Sequence, residues 1–198
     1  MNLQTFIFIG RSGCGKGTQA KLLSEYIKKN DPKNRSIFYM ESGEKFREFI
    51  SSSGYTAKLA KKIAEQGGLQ PAFLAVHLWS HLMIEQMDQD KHVIIDGTPR
   101  KLEEAKILGE GLAFYGRKPV VIFMNVSRAW AEDKLTKRGR TDDKTKKEIK
   151  KRLDWFESDV APTVEYLKKS PLYKFIEING EPRIEEVHAQ ILAKLGWQ

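Results

Sequence analysis

Phe6-Ile7-Phe8-Ile9-Gly10-Arg11-Ser12-Gly13-Cys14-Gly15-Lys16-Gly17-Thr18 is the stretch around which the rest of the chain is arranged. Its first four residues are branched or aromatic and read as a buried strand. After it, residues 19–29 carry apolar side chains at Ala20, Leu22, Leu23, Tyr26 and Ile27, a helical spacing. A strand, a glycine-rich turn and a helix in that order give G-x-x-x-x-G-K its meaning as a phosphate cradle. Glycines let successive backbone N–H groups point inward at an anion, the helix N-terminus adds a positive dipole end, and Lys16 supplies a full charge. The cradle is expected to be Gly10, Ser12, Gly13, Cys14, Gly15, Lys16, Gly17 and Thr18, with one departure from the general pattern: Gly17 follows the lysine and the hydroxyl arrives at Thr18.

Outward from this loop, short apolar runs at 3–9, 36–40, 92–95, 119–126 and 173–178 alternate with helical stretches near 16–29, 43–51, 57–66, 71–88, 100–115, 127–138, 143–169 and 183–195. Pro162 is the expected break in the long helix 143–169. The runs are mostly continuous in apolar character, as strands buried on both faces should be. The expected fold is therefore a doubly wound α/β sandwich of three layers, with a five-stranded parallel sheet and helices on both faces. Residues 42–70 and 134–143 do not fit the alternation and read as small inserts over the sheet's ligand-bearing edge, leaving a core of 1–41, 71–133 and 144–198.

With 198 residues, 40% of them hydrophobic and 30% charged, the composition is that of an ordinary soluble domain. No apolar stretch approaches the roughly 18 residues of a membrane span, so no membrane partner is expected, and cytoplasm is the default compartment. Cys14 is the single cysteine, which excludes an intrachain disulfide or cysteine zinc cluster. Net charge is +8, densest between Lys134 and Arg152, but much of that run is lysine spread around a helix, a solvated face. A nucleic-acid partner is therefore not expected as a main function; a phosphorylated small molecule is. Trp79, Trp130, Trp155 and Trp197 read as core or helix-packing residues.

Val93-Ile94-Ile95-Asp96 is a strand ending in a carboxylate suited to holding Mg²⁺ through water. The turn Gly97-Thr98-Pro99-Arg100 presents an arginine from the same strand end. Arg47, Arg138, Arg140 and Arg152 also flank turns or inserts. Guanidinium forks bind phosphate oxygens bidentately and stay charged, so several converging on a phosphate loop point to a second phosphate-bearing substrate.

Gly10–Thr18 resembles the G-x-P-G-x-G-K-G-T loop of adenylate kinases and related nucleoside monophosphate kinases, with Ser12 at the usual proline. Ser42-Gly43-Glu44 with Arg47 resembles T-G-D-x-x-R, and Gly67-Gly68-Leu69-Gln70-Pro71 resembles G-x-L-V-P. Asp96–Arg100 resembles D-G-F-P-R. Arg138-Gly139-Arg140-Thr141-Asp142-Asp143 with Arg152 resembles the lid motif and its downstream arginine. The resemblance implies a P-loop kinase, a monomer, moving a phosphoryl group from Mg·ATP to AMP to give two ADP. It assigns ATP to the cradle with Lys134, Arg138 and Pro182. The monophosphate goes to Ser42, Gly43, Arg47, Gln70, Gly97, Arg100, Glu104, Arg140 and Arg152. Catalysis falls to Lys16, Arg100, Arg138, Arg140 and Arg152, and Mg²⁺ to Asp96 through water and Thr18, with no zinc. Residues 42–70 would be the monophosphate-binding insert and 134–143 a short lid.

Four of the departures from that pattern matter most. Glu104 stands where the family has a glutamine that pairs with adenine. It either points to solvent or meets the base, and an ionised carboxylate there suits a base edge with two donors, such as guanine's. Lys134 replaces an arginine that stacks on the donor base, Thr98 replaces an aromatic, and Arg140 follows Arg138-Gly139 with no intervening loop. A kinase for GMP, CMP or UMP and a non-catalytic ATP-binding regulator or nucleic-acid-associated protein stay open as alternatives.

Overall fold

In the computed structural model, which describes residues 1–138 and 145–197, Thr5–Gly10 forms the central strand β1. Four strands join it: β2 (Ile37–Glu41), β3 (His92–Asp96), β4 (Val120–Asn125) and β5 (Lys174–Asn179). All pair in parallel in the order β2-β3-β1-β4-β5. The helices are α1 (Lys16–Asn30), α2 (Ser42–Ile50), α3 (Tyr55–Glu65), α4 (Ala72–Gln86), α5 (Leu102–Phe114), α6 (Arg128–Arg138), α7 (Lys146–Trp155), α8 (Ala161–Lys169) and α9 (Ile184–Leu195). The expected five-stranded parallel α/β sheet is what forms.

Successive residues of β1 feed opposite layers, as the strand period of two requires. Phe6 and Phe8 pack with Leu23 and Ile27 of α1, Leu135 of α6 and Ile191 of α9. Ile7 and Ile9 pack with Trp79 of α4, Leu108 of α5 and Leu167 of α8. Phe6, Ile7 and Phe8 have no exposed surface, and burial of each such side chain contributes about 1.5–3 kcal/mol of transfer free energy. That two-sided cover explains the unbroken apolar run.

The long helix expected over 143–169 is interrupted, though not at Pro162 itself. A π turn, Phe156–Val160, separates α7 from α8, and the Ala161 N–H donates to the Phe156 carbonyl. Pro162 then falls in the first turn of α8, where its missing N–H costs little.

The crossovers change side around β1: one leads from it to β2 at one edge, while β4 and β5 lie on the other side. In such sheets a crevice opens outside the carboxyl ends of the strands at that point. Glu41, Asp96 and the β1 turn meet there, because the register pairs Glu41 with Asp96 and Phe8 with Asp96.

Candidate active site

Gly10, Gly13 and Gly15 all take positive φ. A Cβ at Gly10 would lie 2.5 Å from the Met124 carbonyl oxygen, so only glycine lets the loop leave β1 this close to β4. Gly15 precedes α1, and Lys16 opens it. The Lys16 ammonium donates to the carbonyls of Gly10 (2.9 Å) and Arg11 (2.8 Å), which holds a full charge across the loop. Cys14 is buried beneath, its Sγ 3.5 Å from Lys16 Nζ. Residues 12–18 line a cleft of about 800 Å³; Gly10 lies behind them, on a smaller adjoining pocket.

Asp96 is buried at the end of β3. A Cβ on Gly17 would stand 3.2 Å from Asp96 Oδ2, so this carboxylate abuts the start of α1, and exposed Thr18 lines the cleft one residue on. Among the described residues no three His, Cys, Asp or Glu side chains gather as a metal cage. A carboxylate and a hydroxyl beside a phosphate loop fit a Mg²⁺ that keeps most of its water. The same buried carboxylate acts on its neighbour Tyr39: burial first, then the charge of Asp96, push that phenol well above its usual range.

Across the cleft, Gly97 has φ +86, and a Cβ there would come within 2.8 Å of Ser42 Oγ. Glycine thus allows the β3 turn to touch the first residue of α2, which brings Ser42, Gly43 and Arg47 to the same wall as Arg100. Arg100 Nε donates to the Gly97 carbonyl at 2.7 Å, and its guanidinium lies 5.4 Å from the Trp155 ring. Loss of water pulls the Arg100 pKa down, Arg152 and Arg47 push the same way, and Glu104 and Asp96 oppose them. Arg47 also pairs with Glu41 at 3.1 Å. Arg47 and Arg152 thus lie close enough to Arg100 for their charges to be felt there alongside those of Glu104 and Asp96, and an anion bound among the guanidinium groups would be attracted by all three.

Glu104 does not point to solvent. It is 2% exposed, lines the cleft, and accepts from Thr98 Oγ1 at 2.8 Å and from the Arg100 N–H at 3.4 Å. Two of the positions that depart from the family pattern therefore touch each other. Gln70 lines the same wall, buried, with its Nε2 donating to the Ala60 carbonyl at 2.9 Å.

On the loop's other side Lys134, Arg138 and Pro182 line the cleft. Lys134 Nζ stands 5.0 Å from the Trp130 ring. Arg140 lies outside the described residues, as does the rest of the second half of the expected lid, 139–143. The structure also brings two residues that the sequence reading assigned to packing: Trp130, one helical turn before Lys134, and Trp155, whose Nε1 donates to the Gly67 carbonyl at 3.1 Å. An i,i+4 aromatic–cation pair was the available signal for Trp130. For Trp155 none was local, since its partner is 88 residues away.

The family model for adenylate kinase matches residues 8–172. Adenylate kinase 1 of Nostoc sp. is 32% identical over 191 residues, covering 96% of this chain and 97% of its own. Adenylate kinase of Corynebacterium urealyticum is 28% identical over 96% of this chain and 97% of its own. Human adenylate kinase isoenzyme 5 is 30% identical over 92% of this chain, a stretch that is 31% of the human protein. A phosphate loop facing a cluster of arginines, on a sheet of this order and with relatives aligned almost end to end, has one reading: the chain belongs to the adenylate kinase family of nucleoside monophosphate phosphotransferases.

Proposed function

We propose that the protein transfers the γ-phosphoryl group of Mg·ATP in line to a nucleoside monophosphate, with AMP as the reference acceptor: ATP + AMP to two ADP. The observation that carries this is the convergence of Arg47, Arg100 and Arg152 in the cleft that the Lys16 loop also lines. Two phosphate sites in one cleft fit two nucleotides better than a single bound regulator. The relatives' names supply AMP as the acceptor to start from.

No catalytic base is required. The second pKa of a phosphomonoester is about 6, so the attacking oxygen is already mostly deprotonated at neutral pH. The remaining work is to align two polyanions, spread the charge of the group in flight and keep water out. In this reading Lys16 and the loop N–H groups hold the donor's phosphates, with Arg138, Lys134 and Pro182 around it. Arg47, Arg100 and Arg152 take the acceptor phosphate and the transferring group, and Arg140 joins them on the family resemblance. Asp96, through water, and Thr18 would hold Mg²⁺, which when bound neutralises charge on the donor's phosphate oxygens. Residues 42–70 serve as the acceptor-binding insert and 134–143 as a lid, with a cytoplasmic monomer as the working form. No helix among the described residues is long and apolar enough to cross a membrane.

A panel of AMP, GMP, CMP, UMP and dAMP with ATP, read as diphosphate formed, tests the proposal. Turnover with at least one is expected, and silence with all five would refute it. A specific observation favours a second acceptor: the Thr98–Glu104 contact.

A further inference from the structure

The acceptor wall of the cleft is unusual in what it offers to a base. Glu104 sits in the first turn of α5, with its carboxylate 2% exposed and kept within the cleft lining. Its Oε2 is engaged by Thr98 Oγ1 at 2.8 Å and by the Arg100 N–H at 3.4 Å. No described residue donates to Oε1. Gln70, 9% exposed, donates one amide hydrogen to the Ala60 carbonyl, which sets the orientation of its amide group. Its Oε1 is buried with no hydrogen-bond partner among the described residues. Phe46, Ile50 and Leu69 add apolar surface to the same cleft. This wall therefore presents unmatched acceptors, and a ligand that brings donors gains what the chain leaves unsatisfied.

We infer that Glu104, held by Thr98, makes the acceptor slot select a base edge with two adjacent donors, so that GMP is phosphorylated at least as efficiently as AMP. The inference rests on the kinase reading. Guanine carries N1–H and a 2-amino group side by side. Adenine carries one amino group next to a bare ring nitrogen, whose lone pair faces the carboxylate. A site with a buried hydrogen-bonding group discriminates strongly against the ligand that cannot answer it. In the reaction a phosphate oxygen of GMP attacks the γ-phosphorus of ATP. The bond from that phosphorus to the β,γ-bridging oxygen breaks, the electron pair leaves with ADP, and GDP forms. Thr98 is a positioning residue: its hydroxyl anchors Oε2 and turns Oε1 to the cleft.

The test is kcat/KM for GMP, IMP and AMP with saturating ATP on the full chain and on Glu104→Gln, Thr98→Val and Thr98→Ser. Melting temperature and ATP affinity confirm that each variant is folded. A GMP-to-AMP ratio of one or more is expected, with IMP about tenfold below GMP because it lacks the 2-amino group. Glutamine at 104 offers a donor beside an acceptor, so Glu104→Gln should swing the ratio toward AMP by at least about tenfold. Thr98→Val should raise KM for GMP several-fold with kcat little changed, and Thr98→Ser should restore it. A ratio below one in the unmodified protein overturns the inference while AMP turnover leaves the kinase reading standing. Absence of turnover with every acceptor removes both.

Discussion

Both ends of the sheet bury charge, and they treat it in opposite ways. At the amino end, Asp31 has no exposed side-chain surface and accepts from the Arg35 backbone N–H (2.9 Å), Nε (3.0 Å) and Nη2 (2.7 Å). His92, fully buried beside it, accepts at Nδ1 from the Gln4 N–H at 3.1 Å and places Nε2 3.4 Å from Asp31 Oδ2. Hydrogen bonds from Arg35 hold the Asp31 carboxyl far below its usual range. Here the chain answers its own charges. At the carboxyl end Arg100 is desolvated and feels Arg152 and Arg47 as well as Glu104 and Asp96. A buried charge held by hydrogen bonds from its own chain is scaffold; several arginines gathered along one cleft wall are a place for an anionic ligand. Mutations at the first should cost stability and spare chemistry, and mutations at the second should do the reverse.

Lys16→Ala gives the largest contrast. It removes the one full charge spanning the loop, so turnover should fall by about 10²–10³-fold or more while the melting temperature stays within a few degrees. A variant that keeps its activity would break the comparison at its strongest point. Arg100→Lys retains charge and loses the fork, and should lower kcat by about 10²-fold with little effect on folding. Unfolding with unchanged kcat would reassign Arg100 to the scaffold.

At the other end, Asp31→Asn leaves Arg35 with its charge and no carboxylate, and should lower the melting temperature by roughly 5–10 °C with kcat preserved at low temperature. The pH profile sharpens the same contrast. Burial pushes His92 and His188 below the ordinary imidazole range. The Arg35 hydrogen bonds lower Asp31. In each case the unfolded chain takes up its proton at a higher pH than the folded one, so stability rises with pH across the gap. The melting temperature should be level above about pH 7, fall as pH drops below about 6.5 while the histidines charge, and fall again below about 4 as the unfolded chain's Asp31 protonates. His92→Gln should flatten the upper fall. An unchanged curve would remove His92 from the account.

Trp130→Ala is the smallest expected effect. The ring stands 5.0 Å from Lys134 and both line the cleft; if that wall takes ATP as proposed, KM for ATP should rise about three- to tenfold with kcat held. No change would return Trp130 to packing.

Much of this was legible in the residues because its causes are local. Central strands are runs such as Phe6–Ile9 and Val93–Ile95, whose two-sided burial leaves a continuous apolar signature, whereas the edge strand Lys174–Asn179 alternates, and the loop needs glycine at positions that the motif itself marks. Less legible features depend on contacts between distant or irregularly spaced residues. Pro162 announced a break, but the π turn before it follows from backbone bonding that leaves no periodic mark. Trp155 looked like any apolar helix residue, because only the fold brings the Gly67 carbonyl to its indole. Glu104 beside Glu103 was equally consistent with solvent. Its burial depends on Thr98, six residues back across a turn.

The central claim is that this cleft moves a phosphoryl group between nucleotides, and the fate of a labelled γ-phosphate measures it most directly. With γ-labelled ATP and an excess of the monophosphate, the account predicts label appearing in the acceptor's diphosphate at the rate at which ADP is produced, with little free inorganic phosphate. Label released only as inorganic phosphate, or left on ATP with every acceptor, would contradict it.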